Sequence, residues 1–324
     1  MTESVDDDAP FFIVGCGRSG TTLLRLVLSG HSRIEIPPET WFLLTLVERL
    51  PLTETLSPAQ VEEAIALMTG DYRWPDMAIA AADFAQGARA LAEPRIADLM
   101  GLVYSEHLRR AGKPRFGDKT PPYIGILPQL ASIYPGARFI HLIRDGRDVA
   151  TSFIDAHFDG GVWDKQFEWR RAVRHGLAYR SSALAERILE VRYEDMVKDL
   201  EATTRLVCGF LGEAFEPGML DFQPLIARKV PARERVVHHS LSRAVSADSV
   251  AAWRTRLSGA ELFLIESCIR AELVALGYQP RFASRAWTPA MRLSRAVLAT
   301  TGPHLRRVIQ GLRRRDLLRR QVYI

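Results

Sequence analysis

Residues 11–22 read FFIVGCGRSGTT, an apolar run closing in Gly15, Gly17 and Gly20, with Thr21 and Thr22 directly behind. A short apolar run that ends in glycines reads as a buried strand feeding a tight turn, and the threonines open a helix. Free backbone N–H groups at such a helix start attract an anion. The frame is that of a phosphate-binding loop, G-x-x-x-x-G followed by a hydroxyl residue, with one exchange. Thr21 stands where a nucleoside triphosphatase carries Lys, and Arg18 supplies a cation from inside the loop. The exchange argues against ordinary ATP hydrolysis and keeps a phosphate-bearing nucleotide as the ligand.

Outward from the loop, strands are expected at 11–15, at 138–143 (RFIHLI) and, with weaker patterns, at 115–118 (RFGD) and 188–192 (ILEVR). Helices are expected at 21–30, 40–49, 58–69, 88–111, 123–133, 145–157, 165–186, 199–212 and 258–276. Strands alternating with long helices predict an α/β chain: a P-loop-type three-layer fold with a central parallel sheet flanked by helices. Ligands of such sheets sit beyond the carboxyl ends of the strands, where the motifs of this chain fall. Residues 51–112 read as a helical insert, either a roof over a substrate cleft or structural padding. The expected division is a domain over 1–280 and a C-terminal extension over 281–324.

The chain has 324 residues, 47% hydrophobic and 25% charged, the balance of a globular, enzyme-sized protein with a large core. No run approaches the 18 apolar residues of a spanning helix. The start, MTESVDDDAP, is acidic and has no apolar stretch of the secretory kind, and Cys16, Cys208 and Cys268 show neither metal spacing nor a disulfide pattern. A cytoplasmic location is expected. Eleven arginines against the single acid Asp316 give residues 281–324 a charge of +10, leaving −5 on residues 1–280 out of the total of +5. The high isoelectric point therefore belongs to the tail, and nucleic acid is not an expected partner. Residues 304–320, HLRRVIQGLRRRDLLRR, place Leu305, Val308, Ile309 and Leu312 at helical spacing among arginines. Such a basic amphipathic helix suits the acidic body, a partner groove or an anionic membrane surface, the last implying peripheral contact at the inner membrane.

Four further patches carry chemistry. Glu39 follows the rigid turn Pro37-Pro38 about twenty residues after the loop, where it either starts a helix or returns to the loop mouth. In Phe116-Gly117-Asp118-Lys119-Thr120-Pro121-Pro122 a strand stops at an acid–base pair, structural or functional. In Ile140-His141-Leu142-Ile143-Arg144-Asp145-Gly146-Arg147-Asp148 a second strand runs into an arginine turn, with Ser152 on the helix beyond. Arg144 and Ser152 make a second anion site there, unless both arginines merely pair with Asp145 and Asp148. The last patch is Arg192-Tyr193-Glu194-Asp195. Two phosphate-type sites at two strand ends call for a ligand with two separated anionic groups.

Together these motifs resemble the sulfotransferases that use 3′-phosphoadenosine 5′-phosphosulfate. G-R-S-G-T-T is similar to that family's 5′-phosphosulfate loop. R-D-G-R-D-V-A-T-S is similar to its 3′-phosphate site, with Arg144 and Ser152 at the matching spacing. F-G-D-K-T-P, V-R-Y-E-D and, more loosely, V-S-A-D-S-V-A-A-W-R-T-R at 245–256 extend the resemblance over roughly 11–280. Arg in the loop resembles the bacterial and tyrosylprotein-like branch, in which a Glu in a P-E-T context is the base, as Glu39 is placed here. The chain departs from that branch at Trp41, where a basic residue is expected, which bears on a peptide acceptor more than on the base. It also lacks an aromatic after the loop threonines, where Leu23 and Leu24 stand.

The resemblance implies in-line transfer of a sulfuryl group to a hydroxyl or amine. Gly17, Arg18, Ser19, Gly20, Thr21 and Thr22 are expected to hold the 5′ end of the donor, and Arg144, Ser152 and Tyr193 the 3′-phosphate, with Arg256 closing over it. Arg18 and Lys119 are expected to neutralise the developing charge, each contributing about 10²–10³ in rate. Glu39 is the expected base, Asp118 orients Lys119, and His31 and His141 are rival bases. A sulfuryl group carries less charge than a phosphoryl group, so no metal is expected. Expected acceptors are a small molecule, carbohydrate or lipid, with peptide tyrosine as an alternative. A kinase would need Lys after Gly20, and a non-catalytic nucleotide binder would have no use for Glu39 and Lys119 beside the loop.

Overall fold

β1 (Phe11–Gly15) is buried along its whole length at the centre of a sheet of five parallel strands. The computed structural model describes residues 8–155, 162–231, 235 and 247–282. The strand order is β2-β3-β1-β4-β5, with β2 at Ile34–Glu35, β3 at Arg115–Lys119, β4 at Arg138–Ile143 and β5 at Ile188–Arg192. β1 and β3 to β5 fall where the apolar runs predict them. β2 does not announce itself, because two residues before Pro37 carry no alternation. The register sets Ile13 beside Lys119, Gly15 beside Leu142 and Ile143 beside Arg192. The ends of β3, β1, β4 and β5 therefore emerge side by side on one edge.

Parallel strands cannot be joined by tight hairpins, so helices carry the chain back each time. α1 (Thr21–Ser29) follows β1 and buries Leu24, Leu26, Val27 and Leu28 against the sheet. Full burial of each such side chain is worth roughly 1.5–3 kcal/mol. α2 (Phe42–Arg49), α3 (Pro58–Thr69), α4 (Ala81–Ala90) and α5 (Ile96–Ala111) lie between β2 and β3. α3 opens on a capping box, Ser57 with Gln60, and Pro58 takes the first helical position. The single helix expected at 88–111 is two helices, because Pro94 disfavours a helical residue before it and extended Leu91 ends α4. Within 51–112, α5 packs on β2 and β3 and is the crossover that their parallel pairing requires.

α6 (Leu127–Ile133) precedes β4, and α7 (Gly146–Asp155) and α8 (Val162–Tyr179) follow it. α8 stops at Tyr179, earlier than the expected 186, and a 3₁₀ turn, Ala185–Arg187, leads into β5. After β5 come α9 (Tyr193–Lys198), α10 (Leu200–Leu211) and α11 (Gln223–Lys229). Two compact units are distinguished, Met1–Arg256 and Leu257–Ile324. In the second, the helix Gly259–Ala275 starts on the capping box Ser258–Glu261, and Glu266 accepts the N–H groups of Arg281 and Phe282. The amphipathic stretch 304–320 lies outside the described residues. Among the described residues no helix is long and apolar enough to cross a membrane.

Candidate active site

The loop between β1 and α1 exists in this form because of two glycines. Gly15 has φ +143°, and a Cβ there would stand 2.5 Å from the Leu142 carbonyl oxygen. Gly20 has φ +93°, and a Cβ would stand 2.4 Å from the ring of Tyr193. Arg18 is left-handed too, at φ +67°, a conformation that costs a residue with a side chain about 1–2 kcal/mol. α1 begins without a side-chain cap and without an acid in its first turn. Its leading N–H groups and the positive end of its dipole thus face the loop mouth. The Ser19 hydroxyl is buried and has no hydrogen-bond partner among the described residues.

β4 delivers the second cation to the same place. Arg144 donates from Nη1 to the Arg18 carbonyl and from Nη2 to the Ser249 carbonyl, both at 2.8 Å. Its guanidinium lies 4.2 Å from the centre of the Tyr193 ring, and the Tyr193 hydroxyl meets Ser249 Oγ at 2.5 Å. Arg144 Nε has no partner among the described residues. Arg18 donates from Nε to Ser152 Oγ at 3.1 Å. Burial, and Arg144 close by, bring the Arg18 guanidinium down to about 10, against Asp155 and Tyr193. Two crowded guanidiniums, an open helix start and an unsatisfied hydroxyl are a donor set for a polyanion.

The neighbouring charges stay within the protein. Arg147 does pair with Asp145, at 2.7 Å, and stacks on Trp253. Asp148 accepts the N–H groups of Ala251 and Trp253 at 2.7 and 3.0 Å, and so pins the segment that carries Ser249. Burial lifts the Asp148 carboxyl to about 6, partly offset by these N–H groups and Arg144. Arg256, expected to close over the 3′-phosphate, pairs with Asp155 at the exposed end of α7. Ser249 meets Arg144, while the Asp155 that pairs with Arg256 also bears on Arg18.

The third group is the acid–base pair. Lys119, at the end of β3, points its ammonium at Glu39 Oε1 and at the Thr22 hydroxyl, 3.4 Å away. Glu39 Oε2 accepts the Trp41 indole N–H at 2.5 Å. Burial alone would raise the Glu39 carboxyl. The Lys119 ammonium, the two hydrogen bonds and the charge of Arg25 outweigh it and hold Glu39 below the ordinary carboxylate value. Glu39 therefore stands ionised beside the loop, the state a proton acceptor needs.

Asp118 does not orient Lys119. Adjacent residues of a strand point to opposite faces, and Asp118 binds the Thr40 and Tyr104 hydroxyls on the other side. It fixes Thr40, whose N–H also donates to Thr120 Oγ1 at 3.1 Å, and thereby the loop bearing Glu39. The rival bases lie elsewhere. His31 bonds the Ala214 carbonyl at 2.9 Å beside Glu213 and Glu216. His141 is buried against Gly176, and burial brings its imidazole down to about 4, with Glu190 opposing. Sequence reasoning assigned no role to Ser249, to Thr40 or to Trp41 as a partner of Glu39. All three lie in or directly beside stretches that it quoted, the 245–256 run and the P-E-T context. Among the described residues no group of three or more His, Cys, Asp or Glu is placed to hold a metal.

Residues 10–217 match the Sulfotransferase family. The nodulation protein NoeE of Sinorhizobium fredii is 28% identical over 302 residues, 83% of this chain and 65% of that protein. Protein-tyrosine sulfotransferase 1 of Danio rerio is 26% identical over 225 residues, 67% of this chain and 57% of that protein. The chain thus spans under two thirds of the length of both relatives. Among solved structures, the sulfotransferase domain of the Synechococcus PCC 7002 olefin synthase superposes with a TM-score of 0.60 at 23% identity, covering 86% of this chain and 98% of that one. That likeness shows the fold alone. With the family matched over most of the first unit, and the loop, β3 and β4 ends arranged as described, the chain belongs to the sulfotransferase family of enzymes.

Proposed function

We propose that the protein transfers the sulfuryl group of 3′-phosphoadenosine 5′-phosphosulfate to an acceptor hydroxyl or amine, with Glu39 as general base. The observation that carries this reading is the meeting of Glu39, Lys119 and Thr22 beside the uncapped start of α1. A protein that only binds nucleotide has no use for a paired, ionised carboxylate at that point. The donor supplies an activated sulfuryl group whose leaving group is the nucleotide. Gly17, Arg18, Ser19, Gly20, Thr21 and Thr22 would hold its 5′ end; the unsatisfied Ser19 hydroxyl fits that role. Arg144, through its unpartnered Nε, with Ser152, Tyr193 and Ser249, would hold the 3′-phosphate.

In the reaction the acceptor oxygen bonds to sulfur, the bond from sulfur to the 5′-phosphate oxygen breaks, and the acceptor proton passes to Glu39. Lys119 and Arg18 neutralise the charge that grows on the departing oxygen. The acceptor is read as a small molecule, carbohydrate or lipid. Peptide tyrosine is the second reading, favoured by the similarity to protein-tyrosine sulfotransferases.

Calorimetry with adenosine 3′,5′-bisphosphate and adenosine 5′-monophosphate tests the donor. The bisphosphate is expected to bind about 10–100-fold more tightly, the worth of one or two charge-assisted hydrogen bonds, and Arg144→Lys to narrow the gap. Equal affinities would remove the donor from the reading. Turnover of radiolabelled donor against pooled lipids, sugars, phenols and tyrosine peptides then assigns the acceptor.

A further inference from the structure

Arg25 lies on α1 one helical turn beyond Thr21 and Thr22, on the same face, and is fully buried. A cation without exposure must be matched from inside the protein. Arg25 Nη2 donates to the Ile36 carbonyl at 3.3 Å, at the foot of the Pro37-Pro38 turn that carries Glu39. Its charge also bears on the Glu39 carboxylate, while Lys229 of α11 and His107 of α5 face it from other elements. Glu39 in turn is faced by Lys119 from β3 and by Trp41 from its own loop, and its charge is felt by the Asp118 carboxyl on the other side of β3.

We propose that Arg25 is the positioning residue of the base: α1 holds the donor with its first turn and the loop of Glu39 with its second. One rigid helix, rising about 5.4 Å per turn, then sets the separation between the transferred group and the proton acceptor. The two prolines transmit that setting, since their φ angles are fixed and the turn cannot swing independently of Ile36. This inference deepens the assignment of Glu39 as base and rests on it.

The test uses the full chain with Arg25→Gln, Arg25→Lys and Glu39→Gln. Three quantities are measured: binding of adenosine 3′,5′-bisphosphate, turnover of radiolabelled donor with 2-naphthol as probe acceptor, and the Glu39 carboxylate band by infrared titration. The band is identified by its loss in Glu39→Gln. Arg25→Gln is expected to keep bisphosphate affinity within about twofold while turnover falls about 10–100-fold, the effect of a misplaced catalytic group. The midpoint of the Glu39 band should move to higher pH, because a cation facing the carboxylate is gone. Arg25→Lys should keep the midpoint and recover part of the turnover, having the charge without the fork.

An unmoved midpoint in Arg25→Gln, or a turnover loss that only follows lost bisphosphate binding, overturns the positioning role. Should Arg25→Gln fail to bind the bisphosphate, Arg25→Lys decides: wild-type turnover in it overturns the proposal, and a loss of about threefold or more at intact affinity supports it. Wild-type turnover in Glu39→Gln is a separate result, which strikes the base itself.

Discussion

The Lys119 ammonium and the Glu39 carboxylate form a direct ion pair between the end of β3 and the loop after β2, with Lys119 almost wholly buried. The pair joins the base to the donor loop, because the same ammonium also reaches Thr22. Lys119→Met is expected to lower turnover about 10²–10³-fold. It also leaves Glu39 buried without its counter-charge, so the carboxyl rises. A carboxylate held low in the folded state stabilises the fold above its unfolded value and loses that contribution as pH falls through the folded one. The variant should therefore lose stability at neutral pH and less at low pH. Urea unfolding at both pH values checks this; equal losses would show the pair to be indifferent to charge.

Gly20→Ala tests the loop. A methyl group at φ +93° that also meets the Tyr193 ring is expected to cost about 1–3 kcal/mol and to disturb the ring that Arg144 stacks on. Nucleotide affinity should fall with it, as read by calorimetry. A variant with unchanged stability and affinity would mean that the loop has another conformation available.

His141 gives a pH prediction with a definite sign. Its ordinary value of 6.5 drops to about 4 in the fold, chiefly by burial. Between those values the unfolded chain takes up a proton that the folded one refuses, so stability rises with pH there and is lost as pH falls from 6.5 to 4. The full effect is about 3 kcal/mol. His141→Gln should flatten that part of the acid sensitivity, leaving the share of His107, which burial also brings to about 4. Chemical denaturation across this range measures it; an identical slope in the variant would place the proton elsewhere.

The arginine-rich tail is proposed as a peripheral contact with anionic membrane. Flotation with vesicles containing anionic lipid should carry the full chain and leave a chain ending at residue 280 behind. Equal flotation would end the idea.

The loop, β3 and β4 were legible because each is an apolar run stopping at an unusual cluster: Gly15 to Thr22, Asp118-Lys119, Arg144-Asp145. Their convergence was legible only through the resemblance, since nothing in spacing alone says that β1 lies between β3 and β4. What stayed hidden depends on side-chain direction or on distant contacts. Asp118 and Lys119 are neighbours in sequence and opposites in space. Ser249 sits inside the 245–256 run that carried the loosest part of the resemblance, and it gains its place from the bonds of Asp148 to Ala251 and Trp253. Arg25 looks like one more charge on a helix until the fold buries it.

The chain leaves the sheet at its β2 edge, wanders through α3 and α4, and returns by way of α5. Of β1 and its two neighbours, β3 receives the returning α5, and β1 and β4 keep their pairing to each other. Lengthening or recasting residues 51–95 would thus be absorbed at the margin of the sheet, without altering the register that puts Ile13 beside Lys119 and Gly15 beside Leu142. The architecture thus separates the part of the chain that fixes the strand register from a part whose length can change at the sheet margin.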